Sequence, residues 1–446
     1  MRHALHISSS KAIAPARVCA YTVLRRVFEQ GAYADRALQA ESGQLDPRDR
    51  ALAMRLAYGA VQRKATLDHL IGALADRPVG RLEEPVLAAL RLGLYELLYL
   101  DGSPDYAVVG DVVELAKTHA RGGHGLVNAV LRRAAREGSD ALLGALTDAT
   151  AEQAAVKHSH PEWIARLWWE ELGADEARAL MAYDNEPGEV ALRANTLVTD
   201  VHALAQALVA GDAADGRPSV RTHTDPGIPE ALVLEDPFDV HGSRLWQEGA
   251  FAAQSRAAMK VARALDPRPG ERVLDLCAAP GGKSTHIAAL MEGTGEVVAV
   301  ERDRRRAGAL TRTVQRLHAG NVRVELRDAA QVRPEGAVFD RVLVDPPCSG
   351  LGTLQARADL RWRVTPEHVH EMTGPQAAIL AAGAAALRPD GVLVYSTCTI
   401  SSTENERLIA AFLDSHPDFS LDTELAQTLP HRDLTAGFFI ARLRRS

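Results

Sequence analysis

The pattern of apolar and polar residues changes twice along this chain of 446 residues. From about residue 14 to residue 136, apolar residues such as Leu52 and Leu56 recur at helical spacing. The stretch from Leu87 to Leu100 is apolar on more than one face, which is typical of a helix buried among its neighbours. The breaks between these segments are polar or contain Gly and Pro. We therefore predict a compact all-α domain over residues 1–140.

Residues 150–245 have a mixed pattern. The sequence predicts a strand over Val190–Thr196, followed by a helix near Val201–Ala210. Pro and Gly then become frequent, and short strands are expected around Val220 and Leu232. This combination predicts a small α+β connector between two larger domains.

From Phe251 onward, short apolar strands alternate with helical segments. This alternation predicts a parallel, doubly wound α/β sheet in a domain over residues 246–446, with a ligand at the carboxyl ends of its strands. The predicted strands are Arg272–Leu276, Glu296–Glu301, Val322–Leu326, Phe339–Val344, Val392–Ser396 and Gly437–Leu443.

The composition is that of a globular protein, with 46% apolar and 24% charged residues. The N-terminus lacks the apolar core of a signal peptide, and no run of about 18 apolar residues occurs. We therefore expect a cytoplasmic protein with no membrane partner. Its four cysteines include no CxxC pair, so neither a disulfide framework nor a bound metal is expected.

The net charge of −7 argues at first against a nucleic-acid partner. The charge is unevenly distributed, however: residues 1–140 carry +3, residues 151–240 carry −11 and residues 241–446 carry +2. The acidity lies in the connector. Local basic patches in the two outer domains therefore remain available for contact with nucleic acid.

The segment LDLCAAPGGKSTH, residues 274–286, runs from a strand through a glycine turn into a helix. Such a turn lets a ligand approach the backbone and the free N–H groups of the helix. A phosphate loop would need glycine where Cys277 stands, so the segment favours a nucleoside-type cofactor. Glu301 ends the next strand, where a carboxylate suits ribose hydroxyls. A tight turn with a solvated Glu301 is the alternative.

Two of the cysteines follow predicted strands of the same sheet. Cys348 lies in the segment LVDPPCSGLGT, residues 343–353, and Cys398 lies in YSTCTISSTENE, residues 395–406. A single cysteine is more often a small buried apolar residue than a nucleophile. Two cysteines at strand ends beside a cofactor turn favour a chemical role instead.

Together, these three segments resemble the RNA cytosine-5 methyltransferase family, which uses S-adenosylmethionine in a Rossmann-like α/β domain. The segments AYADRAL, residues 32–38, and GLVNAVLRR, residues 125–133, resemble the helical RNA-binding domain of NusB. The segments SHPEW, residues 159–163, and LRAN, residues 192–195, resemble the connector of the same proteins. This order of domains is that of the RsmB family. It implies a monomeric enzyme that acts on 16S rRNA before ribosome assembly is complete.

The resemblance assigns roles to four residues in catalysis. Carbon 5 of cytosine is a poor nucleophile, so a thiolate must first add to carbon 6. The family implies that Cys398 is this nucleophile and that Cys348 helps to resolve the adduct. Asp345 would hydrogen-bond the ring nitrogen and the exocyclic amine, with Lys283 beside it. DNA cytosine methyltransferases attack with the cysteine equivalent to Cys348, so the presence of Cys398 favours the RNA family.

The resemblance also implies the S-adenosylmethionine site. Glu301, where many family members have Asp, would bind the ribose, Asp328 would lie near the adenine, and Asp345 would lie near the sulfonium. The methionine part would lie on Cys277, Ala278, Ala279, Pro280, Gly281, Gly282 and Lys283.

Three other functions are weighed against this one. The chain could be a non-catalytic RNA-binding or ribosome assembly factor, or it could methylate another RNA such as tRNA. It could also methylate an amino group, because many such enzymes have an aromatic residue after DPP. Here Cys348 stands in that position, and amino-group methylation leaves Cys398 without a role.

Overall fold

The computed structural model describes residues 13–120, 122–211, 219–332 and 338–446. These residues form two compact units. The first unit contains the chain up to Asn185 together with the short segment Arg357–Arg363. The second unit contains Glu186–Ala356 and Val364–Ser446.

The first unit is helical, as the sequence predicts for residues 1–140, and it also includes helices from the first part of the predicted connector. Its short 3-10 turns are Val79–Arg81 and Leu360–Trp362. Its helices are α1 (Pro15–Gln30), α2 (Ala34–Glu41), α3 (Pro47–Gln62), α4 (Lys64–Ala75), α5 (Glu84–Tyr99), α6 (Asp105–His119), α7 (His124–Glu137), α8 (Ser139–Gly144), α9 (Ala151–Lys157), α10 (Glu162–Leu172) and α11 (Ala174–Tyr183).

Helix α5 lies in the centre of this unit and confirms the predicted buried helix. Its apolar residues are buried on several faces, and it also carries the buried carboxylate of Glu96. Arg17 of α1 donates hydrogen bonds to Glu96 at 2.5 and 2.8 Å and to Asp111 of α6 at 2.8 Å. A buried carboxylate is tolerated when it is paired in this way. The ion pairs therefore join three helices around one core.

The segment Arg357–Arg363 packs within the first unit. The indole N–H of Trp362 donates to the backbone oxygen of Val61 at 2.7 Å. Arg361 is fully buried and donates to the backbone oxygens of Ser159 at 2.9 Å and Asp184 at 3.2 Å. These bonds hold the segment among the helices of the first unit.

The second unit begins with a four-stranded antiparallel sheet in the order β2-β3-β1-β4. The structure adds strand β4, which the sequence does not predict, and it places β2 just after Val220. The elements of this part are β1 (Val190–Ala194), α12 (Val201–Ala210), β2 (Thr222–Asp225), β3 (Ile228–Leu234), α13 (Arg244–Gln247) and β4 (Phe251–Ala253).

The rest of the second unit forms an α/β domain. Its short 3-10 turns are Ala329–Gln331 and Leu351–Thr353. Its elements are α14 (Arg256–Leu265), β5 (Arg272–Leu276), α15 (Gly282–Leu290), β6 (Glu296–Glu301), α16 (Arg304–Arg316), β7 (Val322–Leu326), β8 (Phe339–Val344), α17 (Pro366–Ala386), β9 (Leu387–Thr397), α18 (Glu406–Ser415), β10 (Phe419–Leu421), β11 (Ala426–Gln427), α19 (Pro430–Asp433) and β12 (Phe439–Arg445).

The sheet has the strand order β10-β12-β9-β8-β5-β6-β7, and β11 pairs with β12. Strands β5 to β9 are parallel, which confirms the predicted doubly wound domain. Strand β12 runs antiparallel to β9, so the sheet is mixed rather than wholly parallel. The apolar strands are buried between helices on both faces, as expected for a parallel sheet. Among the described residues, no helix is both long and apolar enough to cross a membrane.

Candidate active site

Three loops meet at the carboxyl edge of the central strands. Leu276 at the end of β5 lies opposite Val344 at the end of β8, and Val344 lies opposite Tyr395 in β9. The residues that follow these strands therefore emerge side by side. The structure thus brings together the glycine turn, the segment with Cys348 and the segment with Cys398.

The two cysteines are in contact. Their sulfur atoms lie 3.4 Å apart, and the backbone oxygen of Cys398 accepts the N–H of Gly352 at 3.0 Å. The pKa of the Cys348 thiol is raised well above its usual value, first by its hydrogen bond with Cys398 and then by burial. The negative charges of Cys398, Glu404 and Asp345 act in the same direction. Cys348 is therefore held as a thiol.

Lys283 and Asp345 form an ion pair beside the cysteines. The Nζ atom of Lys283 lies 2.7 Å from an oxygen of Asp345 and 5.1 Å from the centre of the Phe438 ring. Burial lowers the pKa of Lys283, but the charge and hydrogen bond of Asp345, with the charge of Cys398, raise it overall. Lys283 is consequently cationic, and a nearby cation favours the thiolate form of Cys398.

The turn that contains Gly281 and Gly282 needs glycine at the first position and leaves open space at the second. Gly281 has a φ of 106°, and a Cβ atom there would approach Leu310 to 2.8 Å. A Cβ atom on Gly282 would meet only Gln254, at 3.8 Å, so space remains above the start of α15. Burial, followed by the charges of nearby carboxylates, raises the pKa of Cys277 to about 12. Cys277 is therefore a poor nucleophile.

A pocket adjoins this turn and contains three of the predicted cofactor residues. It is lined by Cys277, Val300, Glu301, Arg302, Arg306, Asp328, Ala329, Pro347, Met372, Pro375 and Ile379. Glu301 is only 3% exposed and accepts the N–H of Asp303 at 2.9 Å. Asp328 accepts the N–H of Ala330 at 3.0 Å. Ala278, Ala279, Pro280, Gly281, Gly282 and Lys283 follow Cys277 in the same turn.

The lining of this pocket suits the nucleoside part of S-adenosylmethionine. Carboxylates such as Glu301 and Asp328 accept hydrogen bonds from ribose hydroxyls and ring amines. The side chains of Met372 and Ile379 provide the apolar surface that a flat base requires. The residues present therefore fit this cofactor.

Sequence reasoning missed two sets of residues around the site. Arg193 of the connector donates to Thr285 in α15 at 3.0 Å and to Gln254 at 2.9 Å, which ties β1 to the helix after the glycine turn. The carboxylate of Glu404 accepts hydrogen bonds from Ser349, next to Cys348, and its backbone oxygen accepts one from Tyr395, three residues before Cys398. Both residues lie in quoted segments, LRAN and YSTCTISSTENE, but the pattern alone does not assign contacts to them. Among the described residues, no group of three His, Cys, Asp or Glu side chains could hold a metal ion.

Each of the three domains matches a model of a known protein family. A family model described as 16S rRNA methyltransferase RsmB/F matches residues 262–444. A NusB family model matches residues 14–136, and a model of the ferredoxin-like domain of RsmF/B-like methyltransferases matches residues 160–241. The chain is also 36% identical to the Synechocystis protein named "Probable ribosomal RNA small subunit methyltransferase B", over 97% of this chain and 99% of that one. The chain belongs to the RsmB/F family of 16S rRNA methyltransferases.

Other comparisons agree with membership of the RsmB/F family. Ribosomal RNA small subunit methyltransferase B of Thermus thermophilus is 36% identical over 89% of each chain. The solved structure of a protein named PH0851 has a TM-score of 0.78 and 26% identity, and the match covers 98% of this chain and 100% of that one. The structure of NSun6 from Pyrococcus horikoshii has a similar fold, with a TM-score of 0.58, 24% identity and coverage of 64% of this chain and 98% of that one.

These matches confirm the helical NusB domain, the α+β connector and the methyltransferase domain that the sequence predicts. As a member of the RsmB/F family, the protein is an S-adenosylmethionine-dependent rRNA methyltransferase.

Proposed function

We propose that this protein methylates carbon 5 of a cytidine in 16S rRNA through a covalent bond between Cys398 and carbon 6. The observation that carries the proposal is the contact of the two sulfurs at 3.4 Å, beside the ion pair of Lys283 and Asp345. Amino-group methylation needs no such thiol pair. Addition to a cytosine ring needs a nucleophile that both attacks and leaves well, and a thiolate does both.

In the first step, the lone pair of the Cys398 thiolate forms a bond to carbon 6, and the ring electrons move toward carbon 5. The cationic Lys283 favours the thiolate before attack. Asp345 accepts a hydrogen bond from Lys283 and would also accept one from the exocyclic amine of the base. The ring nitrogen would become a second donor to Asp345 only when it takes up a proton as the thiolate adds. These contacts hold the base while charge builds up in the ring. Cys277–Lys283, Glu301 and Asp328 would hold S-adenosylmethionine, which would supply the methyl group for carbon 5.

Release of the product requires loss of the proton on carbon 5 and cleavage of the bond to Cys398. The first cause of the raised pKa of Cys348 is its hydrogen bond with Cys398. That cause is removed once the sulfur of Cys398 is bound to carbon 6. Cys348 then loses its own proton to solvent more readily and is able to take the proton from carbon 5. The electrons of that C–H bond restore the ring double bond, and Cys398 leaves as a thiolate.

The proposal also covers the state of the RNA substrate and the role of each domain. The target base must leave its stack to reach Cys398, so unassembled or partly assembled 16S rRNA is the expected substrate. We assign residues 1–140 to a NusB-like RNA-binding domain, residues 150–245 to the connector and residues 246–446 to catalysis. The chain is expected to act as a monomer.

The test is methylation of a 16S rRNA transcript by the purified protein with S-adenosylmethionine, followed by nucleoside mass spectrometry. The expected product is 5-methylcytidine. A tRNA transcript serves as the second substrate and should remain unmodified. Detection of N4-methylcytidine, or of methylation on tRNA alone, would overturn the proposal. Bisulfite sequencing of 16S rRNA from cells with and without the gene then locates the modified nucleotide.

A further inference from the structure

A buried carboxylate connects the two segments that carry the cysteines. Glu404 lies between β9 and α18 and is fully buried. One carboxylate oxygen accepts the N–H of Ser349 at 2.9 Å and the side-chain amide of Gln376 at 2.9 Å. The other oxygen accepts the hydroxyl of Ser349. The same amide of Gln376 donates to the backbone oxygen of Pro347 at 2.9 Å. Both neighbours of Cys348 in the chain are therefore fixed through Glu404.

The network also extends to Cys398. The hydroxyl of Ser349 lies 2.6 Å from that of Thr399, the residue that follows Cys398. The hydroxyl of Tyr395 in β9 donates to the backbone oxygen of Glu404 at 2.8 Å. Glu404 thus links the two loops whose sulfur atoms are in contact.

The described contacts of the Glu404 carboxylate are with neutral donors: the N–H and hydroxyl of Ser349 and the side-chain amide of Gln376. A buried carboxylate that is stabilised only by neutral donors is costly to keep. Its charge also contributes to the raised pKa of Cys348, after the hydrogen bond to Cys398, burial and the charge of Cys398 itself. Glu404 therefore acts on the cysteines both through geometry and through charge.

We propose that Glu404 is the positioning residue of the two-thiol centre, which holds the segments of Cys348 and Cys398 in contact and makes the two thiols unequal. This inference rests on the proposed function. It goes further by assigning to Glu404 the difference in protonation between two chemically identical side chains. Glu404 is fully buried, so its effect is exerted through Ser349, Gln376 and Thr399.

The test measures Cys348 directly in the free, full-length protein. The rate of alkylation of Cys348 by iodoacetamide is followed across pH by peptide mass spectrometry, in the wild type and in Glu404→Gln. Loss of the charge should lower the midpoint of this pH profile by about one unit, and kcat should fall about tenfold with the KM for RNA nearly unchanged. Glu406→Gln, an exposed carboxylate at the start of α18, is the matched control and should behave as the wild type.

Two further variants separate charge from geometry. Glu404→Asp keeps the charge and should retain the wild-type midpoint, while its shorter side chain lowers kcat. Ser349→Ala removes the hydrogen bonds of the hydroxyl with Glu404 and Thr399 but no charge, so it should lower kcat without moving the midpoint. An unchanged midpoint in Glu404→Gln, or an equal shift in Glu404→Asp, would overturn the proposal. If Glu404→Gln does not fold, the other two variants decide the question. A midpoint for Cys348 in Glu404→Asp or Ser349→Ala that differs from the wild-type midpoint would then overturn the proposal.

The alkylation profile needs no RNA, so its outcome is independent of the proposed reaction. Absence of 5-methylcytidine from the wild-type reaction would remove the proposed function. The charge effect of Glu404 on Cys348 would still be decided by the midpoints.

Discussion

The sulfur atoms of Cys348 and Cys398 lie 3.4 Å apart, although fifty residues separate them in the chain. The parallel strands β8 and β9 are neighbours in the sheet. Cys348 lies four residues beyond the end of β8, and Cys398 directly follows the end of β9. Ionising both thiols at this distance would cost much free energy, because like charges repel strongly in a buried site. The pair is therefore asymmetric before any substrate binds.

The contact predicts that mild oxidation joins the two cysteines. Disulfide formation needs the sulfurs to approach to about 2.05 Å, which is a small movement from their present distance. Diamide, which accepts the two electrons and two protons released, should abolish methyl transfer, and dithiothreitol should restore it. Peptide mass spectrometry under non-reducing conditions should find Cys348 linked to Cys398. A link to Cys19 or Cys277 instead would contradict the geometry.

Lys283→Met should lower kcat by about 100-fold, because the variant lacks the cation that favours the Cys398 thiolate. Alkylation of Cys398 by iodoacetamide should need a higher pH in this variant than in the wild type, because the thiolate is no longer stabilised. Lys260→Met on α14 is the control. Equal alkylation profiles in Lys283→Met and the wild type would show that Lys283 does not act on Cys398.

Glu301→Gln should weaken the binding of S-adenosylmethionine about tenfold, equivalent to about 1.4 kcal/mol, because one charged acceptor for the ribose is lost. Glu301→Asp keeps the carboxylate and should bind within about threefold of the wild type. Isothermal titration calorimetry measures both values. Glu292→Gln, an exposed residue before β6, controls for the loss of charge alone. Equal affinities for Glu301→Gln and Glu292→Gln would remove Glu301 from the ribose site.

Asp275 should make the protein less stable as pH rises. Burial raises its pKa to about 7, although the hydroxyl of Ser284 donates to it at 2.6 Å. The folded protein therefore holds this proton between the unfolded pKa of 3.8 and about 7, and the stability it contributes at low pH is lost across that range.

Asp275→Asn removes this titration. Between about pH 5 and pH 8, the wild type should lose about 3 kcal/mol of unfolding free energy relative to the variant. Urea unfolding of both full-length proteins at the two pH values measures the difference. Parallel losses in the two proteins would show that Asp275 does not titrate in this range.

Much of the fold could be predicted from local patterns. The strands Arg272–Leu276, Glu296–Glu301 and Phe339–Val344 are short apolar runs between turns, and the structure has the same bounds. Strand β4 has only three residues, too few for a periodic pattern, and it is a strand because it pairs with β1. The antiparallel direction of β12 was also missed, because periodicity carries no information about direction.

For the candidate site, the sequence predicts which residues follow the ends of the strands, but not the distances between their side chains. Cys348 and Cys398 follow apolar strands, so their common edge could be inferred. The distance between their sulfurs could not, because it depends on the hydrogen bonds that Gln376 in α17 donates to Glu404 and to the backbone oxygen of Pro347. Arg193 likewise lies in the connector, far from Thr285 in the sequence. Its hydrogen bond to Thr285 exists only in the folded chain.

The most direct test of the central claim is the covalent bond between Cys398 and the RNA. Cys348→Ala, incubated with a 16S rRNA transcript and S-adenosylmethionine, should accumulate a protein–RNA adduct that survives a denaturing gel. Cys348→Ala combined with Cys398→Ala should form none, and Cys398→Ala alone should produce no 5-methylcytidine. An adduct that persists in the double variant, or normal methylation by Cys398→Ala, would contradict the account.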